Sequence, residues 1–175
     1  MDHFQEDGQF FFHVHQISLY DLYDWSKVTD NNSEMIVSHS NVSRNSFTDT
    51  GRPNKAPSRR SGLRTGTLVR VNENDVALFR FGETVYGISE KCPHAGGPLH
   101  VGDIEELPDQ SLCVRCPYHG WKFDLATGKC RHPSSRGDMS TKVYPVKVDH
   151  YTGDLSVGFI EFSPLYFSTP MIFGL

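Results

Sequence analysis

No run of apolar residues in this chain of 175 residues approaches the ~18 that a membrane-crossing helix needs. The greasy C-terminal stretch FSPLYFSTPMIFGL is short and is broken by Pro164 and Pro170. The N-terminal residues do not read as a secretory leader either. Asp2, Glu6 and Asp7 stand where a basic start belongs, and no small-residue cleavage site follows an apolar core. The same acids argue against a mitochondrial presequence, so the expectation is a cytoplasmic protein. Charge of one sign is scarce. The net charge is −4, and Lys55, Arg59, Arg60 and Arg64 are the nearest approach to a basic patch. They read as a solvated linker rather than a nucleic-acid surface. No dinucleotide-fold glycine fingerprint appears, and SGLRTG at 61–66 is too sparse for a phosphate loop. Cysteine is limited to four residues. In a reducing compartment that number points to metal or redox chemistry before a disulfide framework.

What is present divides the chain in three. Residues 1–65 read as a poorly structured leader and linker. QFFFHVHQISLYDLYDW fits a strand and part of a short helix. Ser/Asn/Thr-rich sequence then runs from about Thr29 to Asp49, ahead of the linker GRPNKAPSRRSG. His13 and His15 alternate as strand neighbours do, but packed or surface histidines account for them more simply than metal ligands. Residues 66–162 carry the short β-type runs GTLVRV, VALFRFG, TVYGISE, SLCVRCP, WKFDLA, KVYPVKVD and DLSVGFIEF. Turns are marked at Asn72–Asp75, at Gly82-Glu83 as a two-residue hairpin loop, and at Tyr151–Asp154. Strands at this spacing, without convincing helices, predict a small all-β antiparallel sandwich or barrel. Residues 163–175 form a tail.

Two loops interrupt the strands. KCPHAGGPLH holds Cys92 and His94, and VRCPYHGW holds Cys116 and His119, with residues 95–115 between the pairs. Two thiolates and two imidazoles suit zinc, or iron bound with sulfide, and ligand type alone does not decide. Spacing bears on the choice. A structural zinc usually takes two ligands from a turn with two to four intervening residues. One intervening residue between Cys92 and His94 is tight for a single ion and easier if the two bind different metals. A dinuclear cluster allows both thiolates on one iron and both imidazoles on the other. Gly96, Gly97 and Gly120 leave room for backbone N–H groups to approach cluster sulfur, and Pro98 restricts Gly97 to extended conformations.

The stretch CPHAGGPLHVGD…CPYHGWKFDLATGK resembles the C-x-H…C-x-x-H signature of Rieske [2Fe–2S] proteins, in which two His replace two Cys on one iron. The resemblance covers about residues 66–160. It extends to the soluble Rieske-type ferredoxins of ring-hydroxylating oxygenase systems and to the eukaryotic Rieske domain-containing proteins. It implies a Rieske fold with a cluster-binding subdomain of two Cys/His loops, and one [2Fe–2S] cluster per chain. Cys92 and Cys116 would hold the inner iron, and His94 and His119 the outer iron near solvent. Gly96, Gly97, Pro98, Gly120, Trp121 and Phe123 would surround it. HPSSRG at 132–137 would form a third, covering loop. Respiratory Rieske proteins join the two loops by a disulfide at the positions of Gly97 and Tyr118. They also carry hydroxyl donors at those of Trp121 and Phe123. With neither feature, the resemblance implies a low-potential cluster in a reducing compartment.

A Rieske cluster takes one electron and returns it, and neither a two-His-one-carboxylate triad nor a nucleotide fingerprint is read in this sequence. The expectation is a monomeric electron carrier rather than an enzyme with its own substrate site. It would pass electrons from a flavoprotein reductase to an acceptor such as an oxygenase. An accessory Rieske-like subunit of a larger oxidoreductase and a structural zinc-binding module are the alternatives. Cys113 and Cys130 read as packed thiols, since a redox C-x-x-C needs a helix start. The acidic run Asp103, Glu105, Glu106 and Asp109 reads as a solvated loop first and a docking face second.

Overall fold

A computed structural model of the chain describes residues 3–27 and 65–165. These residues form strands β1 His3–Glu6, β2 Gln9–Ser18, β3 Thr67–Val71, β4 Asn74–Phe81, β5 Thr84–Ser89 and β6 Asp103–Glu106. They continue with β7 Leu112–Arg115, β8 Lys122–Asp124, β9 Cys130–His132, β10 Val143–Tyr144, β11 Val146–Val148 and β12 Asp154–Phe159. Every pairing between these strands is antiparallel. They make three four-stranded sheets, in the orders β1-β2-β12-β11, β10-β5-β4-β3 and β6-β7-β8-β9.

The first two sheets face one another and the third is the inserted subdomain. β4 is the shared wall. Its side chains alternate across the sheet, as a strand's must. Val76 and Leu78 point into one core with Phe12, Val14, Val69, Leu155 and Val157. Ala77 and Phe79 point into a second core with Ile88, Cys92, Leu99, Val114, Cys116 and Phe123. A strand buried on both faces reads as a continuous apolar run, and VALF at 76–79 is what the sequence has. The second core therefore fixes both cluster-loop cysteines against a rigid sheet.

The tight turns follow their chemistry. Asn72 and Glu73 join β3 to β4 with φ of 47° and 59°, and Gly82 opens the β4–β5 turn at 63°. Both are two-residue loops of the primed type that matches strand twist.

The expectation of a poorly structured leader is corrected at its start. β2 pairs with β12 from Phe10↔Phe159 to Ser18↔Asp154, and Phe11, Phe12 and Val14 are buried. Residues beyond the strand are fastened as well. Asp24 Oδ1 accepts the Gly82 N–H at 2.9 Å, and Arg80 donates to the Leu19 carbonyl at 3.0 Å. The local pattern QFFFHVH shows a strand, but its partner is β12, near the other end of the described residues. The Ser/Asn/Thr-rich stretch, the linker and residues 166–175 lie outside the described residues. Among those described, no helix is long and apolar enough to cross a membrane.

Candidate metal centre

The two Cys/His loops are built to one backbone plan. In the first, Gly96 donates its N–H to the Cys92 carbonyl at 2.7 Å, and Cys92 donates to the Gly97 carbonyl at 2.9 Å. In the second, Gly120 donates to the Cys116 carbonyl at 2.9 Å, and Cys116 donates to the Trp121 carbonyl at 2.7 Å. In each loop the glycine four places after the cysteine sits at φ 72°. An L side chain is disfavoured there, so glycine is what the turn requires. The N–H groups of Gly96 and Gly120 themselves close the turns. The donors aimed at the Cys92 sulfur are the backbone N–H groups of His94 and Ala95.

Each loop rides on a hairpin. Glu90 accepts from Leu99, and Lys91 bridges Pro98, at the base of the first. Arg115 pairs with Lys122 at the base of the second. The buried Glu90 carboxylate also takes His100 Nδ1 at 2.6 Å and the His100 backbone N–H at 3.2 Å. His100 thus has a plain polar role. Glu90 pins the first loop, a part that nothing in its sequence spacing announced.

The side chains then sort by chemistry. Cys92 and Cys116 are buried, at 3% and 2% exposure, while His94 and His119 are exposed. Burial pushes the Cys92 thiol up, and the neighbouring Cys116 thiol, within hydrogen-bond reach, adds to that. The N–H groups of His94 and Ala95 pull the other way. The imidazoles of His94 and His119 stand nearly perpendicular, at 83°, with centroids 4.8 Å apart. The four donors are thus paired, thiol with thiol inside and imidazole with imidazole outside. Among the described residues, no three His, Cys, Asp or Glu side chains group as a single ion would require.

The residues around the two loops make distinct contacts. A Cβ on Gly97 would lie 2.8 Å from the Cys116 sulfur and 3.0 Å from Tyr118 Cγ. Gly97 and Tyr118, the positions matching the respiratory disulfide, are therefore in contact, with an aromatic ring laid on a glycine. Pro98 leads into the short 3-10 turn Leu99–Val101. Phe123 is fully buried in the second core. Trp121 lies flat on His94, with centroids 4.1 Å apart and planes 8° from parallel. The 132–137 loop begins with a cis His132-Pro133 peptide, and His132 pairs with Lys122, next to Trp121.

Asp103, Glu105 and Glu106 of the acidic run lie on strand β6 and Asp109 in the turn after it, and half of the run's charge is matched internally. Glu105 pairs with Lys122 at 2.5 Å and with Arg115 at 3.9 Å. Asp109 accepts from Ser111 and pairs with Arg131, and these hold its carboxyl well below the usual range. Asp103 and Glu106 remain exposed. Beside His119 opens a groove of about 470 Å³ lined by Val101, Asp103, Arg115 and Tyr118. All four cysteines are free of disulfides. Burial pushes the Cys113 thiol up to about 11, with the Asp124 charge adding to it, and burial likewise raises Cys130.

A model of the Rieske [2Fe–2S] domain matches residues 57–145, half of the chain. The chain belongs to the Rieske [2Fe–2S] domain family. A human Rieske domain-containing protein is 41% identical over 59 residues, 34% of this chain and 37% of that one. The match therefore spans little more than a third of that relative. A Shigella flexneri protein is described as the ferredoxin subunit of 3-phenylpropionate/cinnamic acid dioxygenase. It is 32% identical over 100 residues, 57% of this chain and 87% of that one. Among solved structures, a candidate NADH-dependent nitrite reductase small subunit from Mycobacterium tuberculosis superposes with a TM-score of 0.50. It is 24% identical and covers 55% of this chain and 84% of that one, a likeness of fold. The group that defines the Rieske family is a [2Fe–2S] cluster. Paired buried thiols, paired exposed imidazoles and a Cβ-free approach to Cys116 suit it.

Proposed function

We propose that this chain is a one-electron carrier in which Cys92 and Cys116 hold the inner iron and His94 and His119 the outer iron of one [2Fe–2S] cluster. When bound, such a cluster supplies reversible storage of a single electron. The protein's own residues do the rest. The buried cysteines anchor the group against β4. The N–H groups of His94 and Ala95 stabilise the Cys92 thiolate. The exposed imidazoles form the edge through which an electron enters and leaves.

The observation that carries this reading is the perpendicular pair of exposed imidazoles over a pair of buried thiols, on two loops of one plan. The ferredoxin-subunit relative, matched over most of its length, supports a carrier that delivers electrons to an oxygenase-type acceptor. The donor in this proposal is a flavoprotein reductase. The chain acts as a monomer, with no substrate site of its own. The test is anaerobic purification followed by iron and acid-labile sulfide counts and EPR of the dithionite-reduced protein. Two irons, two sulfides and a spectrum with average g near ~1.9 are expected for His-ligated [2Fe–2S]. One zinc without sulfide overturns the reading.

A further inference from the structure

The two imidazoles stand in different surroundings. His119 borders the open groove of Val101, Asp103, Arg115 and Tyr118. His94 has one face covered by the Trp121 indole at 4.1 Å and 8°. Trp121 reaches it from the other loop, where its own carbonyl accepts the Cys116 N–H and closes the turn. Its indole is half-buried, lies 6.5 Å from the Phe123 ring and packs on the second core. One residue therefore ties the backbone around one cysteine to the ring of the histidine paired with the other.

We propose that Trp121 is the positioning residue of His94: the indole fixes the plane of that imidazole, and so makes the two outer-iron ligands inequivalent. A histidine ring on an exposed loop turns easily about its last side-chain bond, because that torsion is broad. A flat aromatic partner at stacking distance removes that freedom. The contact also ties the two loops together near the place where Tyr118 lies on Gly97. The inference rests on the cluster reading, with His94 as a ligand.

The test uses the cluster-loaded protein with Trp121→Leu, Trp121→Met and Trp121→Phe. Pulsed EPR of the reduced protein reads the nitrogen couplings of the two imidazoles separately. A chelator reads the rate of iron loss. The division expected is by ring, not by size. In Trp121→Leu and Trp121→Met one nitrogen coupling broadens and the other stays sharp. Iron loss then quickens roughly 2- to 12-fold, the range set by a lost aromatic pair. Trp121→Phe stays close to wild type in both readouts. If the two non-aromatic variants lose the cluster while Trp121→Phe keeps it, the proposal also stands.

Wild-type couplings in either non-aromatic variant overturn it. So does equal broadening of both nitrogens, or loss of the cluster in all three variants. Wild-type protein without two imidazole couplings sinks the ligand reading itself, a failure visible before any variant is made.

Discussion

Gly96 and Gly97 are neighbours with different reasons to be glycine. Gly96 has open space around its Cα but sits at φ 72°. Gly97 has ordinary backbone angles, but a Cβ would press on the Cys116 sulfur. Gly96→Ala should therefore cost about 1–2 kcal/mol of stability, the left-handed penalty, and keep the iron. Gly97→Ala should fold and fall well short of two irons per chain, because the buried sulfur has nowhere to go. Thermal melts with iron counts on both variants check this. A Gly97→Ala protein with full iron content would remove close packing as the reason. Cys113 makes a second case. With its thiol pushed up to about 11, only about a thousandth is thiolate at pH 8. Iodoacetamide should leave Cys113 unlabelled in the folded protein at that pH. Because the folded thiol holds its proton more tightly, this group's contribution to stability is level below about pH 8.5. It falls as pH rises from there through about 11. Urea midpoints at pH 8 and pH 10.5 give the sign. At this scale the sequence was most legible. Residue types and spacing drew attention to Cys92, His94, Cys116 and His119, which the structure brings together as a buried thiol pair and an exposed imidazole pair. The stacking of Trp121 and the anchor at Glu90 were not legible, because both join residues whose contact depends on the loops' relative placement.

Strands were legible where the pattern is local. Seven runs between 66 and 162 emerged from apolar and β-branched content and the turns between them. β6 did not, because DIEE reads as solvated loop. It pairs with β7, its Ile104 packs on the second core, and Glu105 lies within reach of Lys122 and Arg115. The three-residue β9 is too short for periodicity to register. The larger miss was β2, whose outline was visible but whose place in the sheet was not. Phe12 lies at 3% exposure among Val157, Phe159 and Val69, with its ring edge-on to Phe159 at 5.6 Å. Phe12→Ala should cost about 3–5 kcal/mol, as for a buried aromatic that leaves a cavity. Equilibrium denaturation checks it, and a cost under about 1 kcal/mol would mean that β2 is dispensable to the core.

As a whole, the protein holds its cluster loops over one face of β4 and closes its sandwich over the other. Mutations in the first core should reach the loops only through global unfolding. The potential is also set at this scale. By the resemblance to respiratory Rieske proteins, Trp121 and Phe123 stand at positions of hydroxyl donors, and the buried Phe123 supplies none. The midpoint should therefore lie near about −150 mV rather than +300 mV. Spectroelectrochemistry measures it directly, and a value above about +100 mV would contradict this account.

The twin turns bear on speed. Each holds its cysteine by two backbone hydrogen bonds made entirely within the protein. Their shape thus comes from glycine conformation and peptide pairing, independent of any charge that arrives. A cage fixed in advance needs little rearrangement when its contents gain or lose an electron. The pace of exchange then falls to how closely an acceptor can approach the imidazole edge.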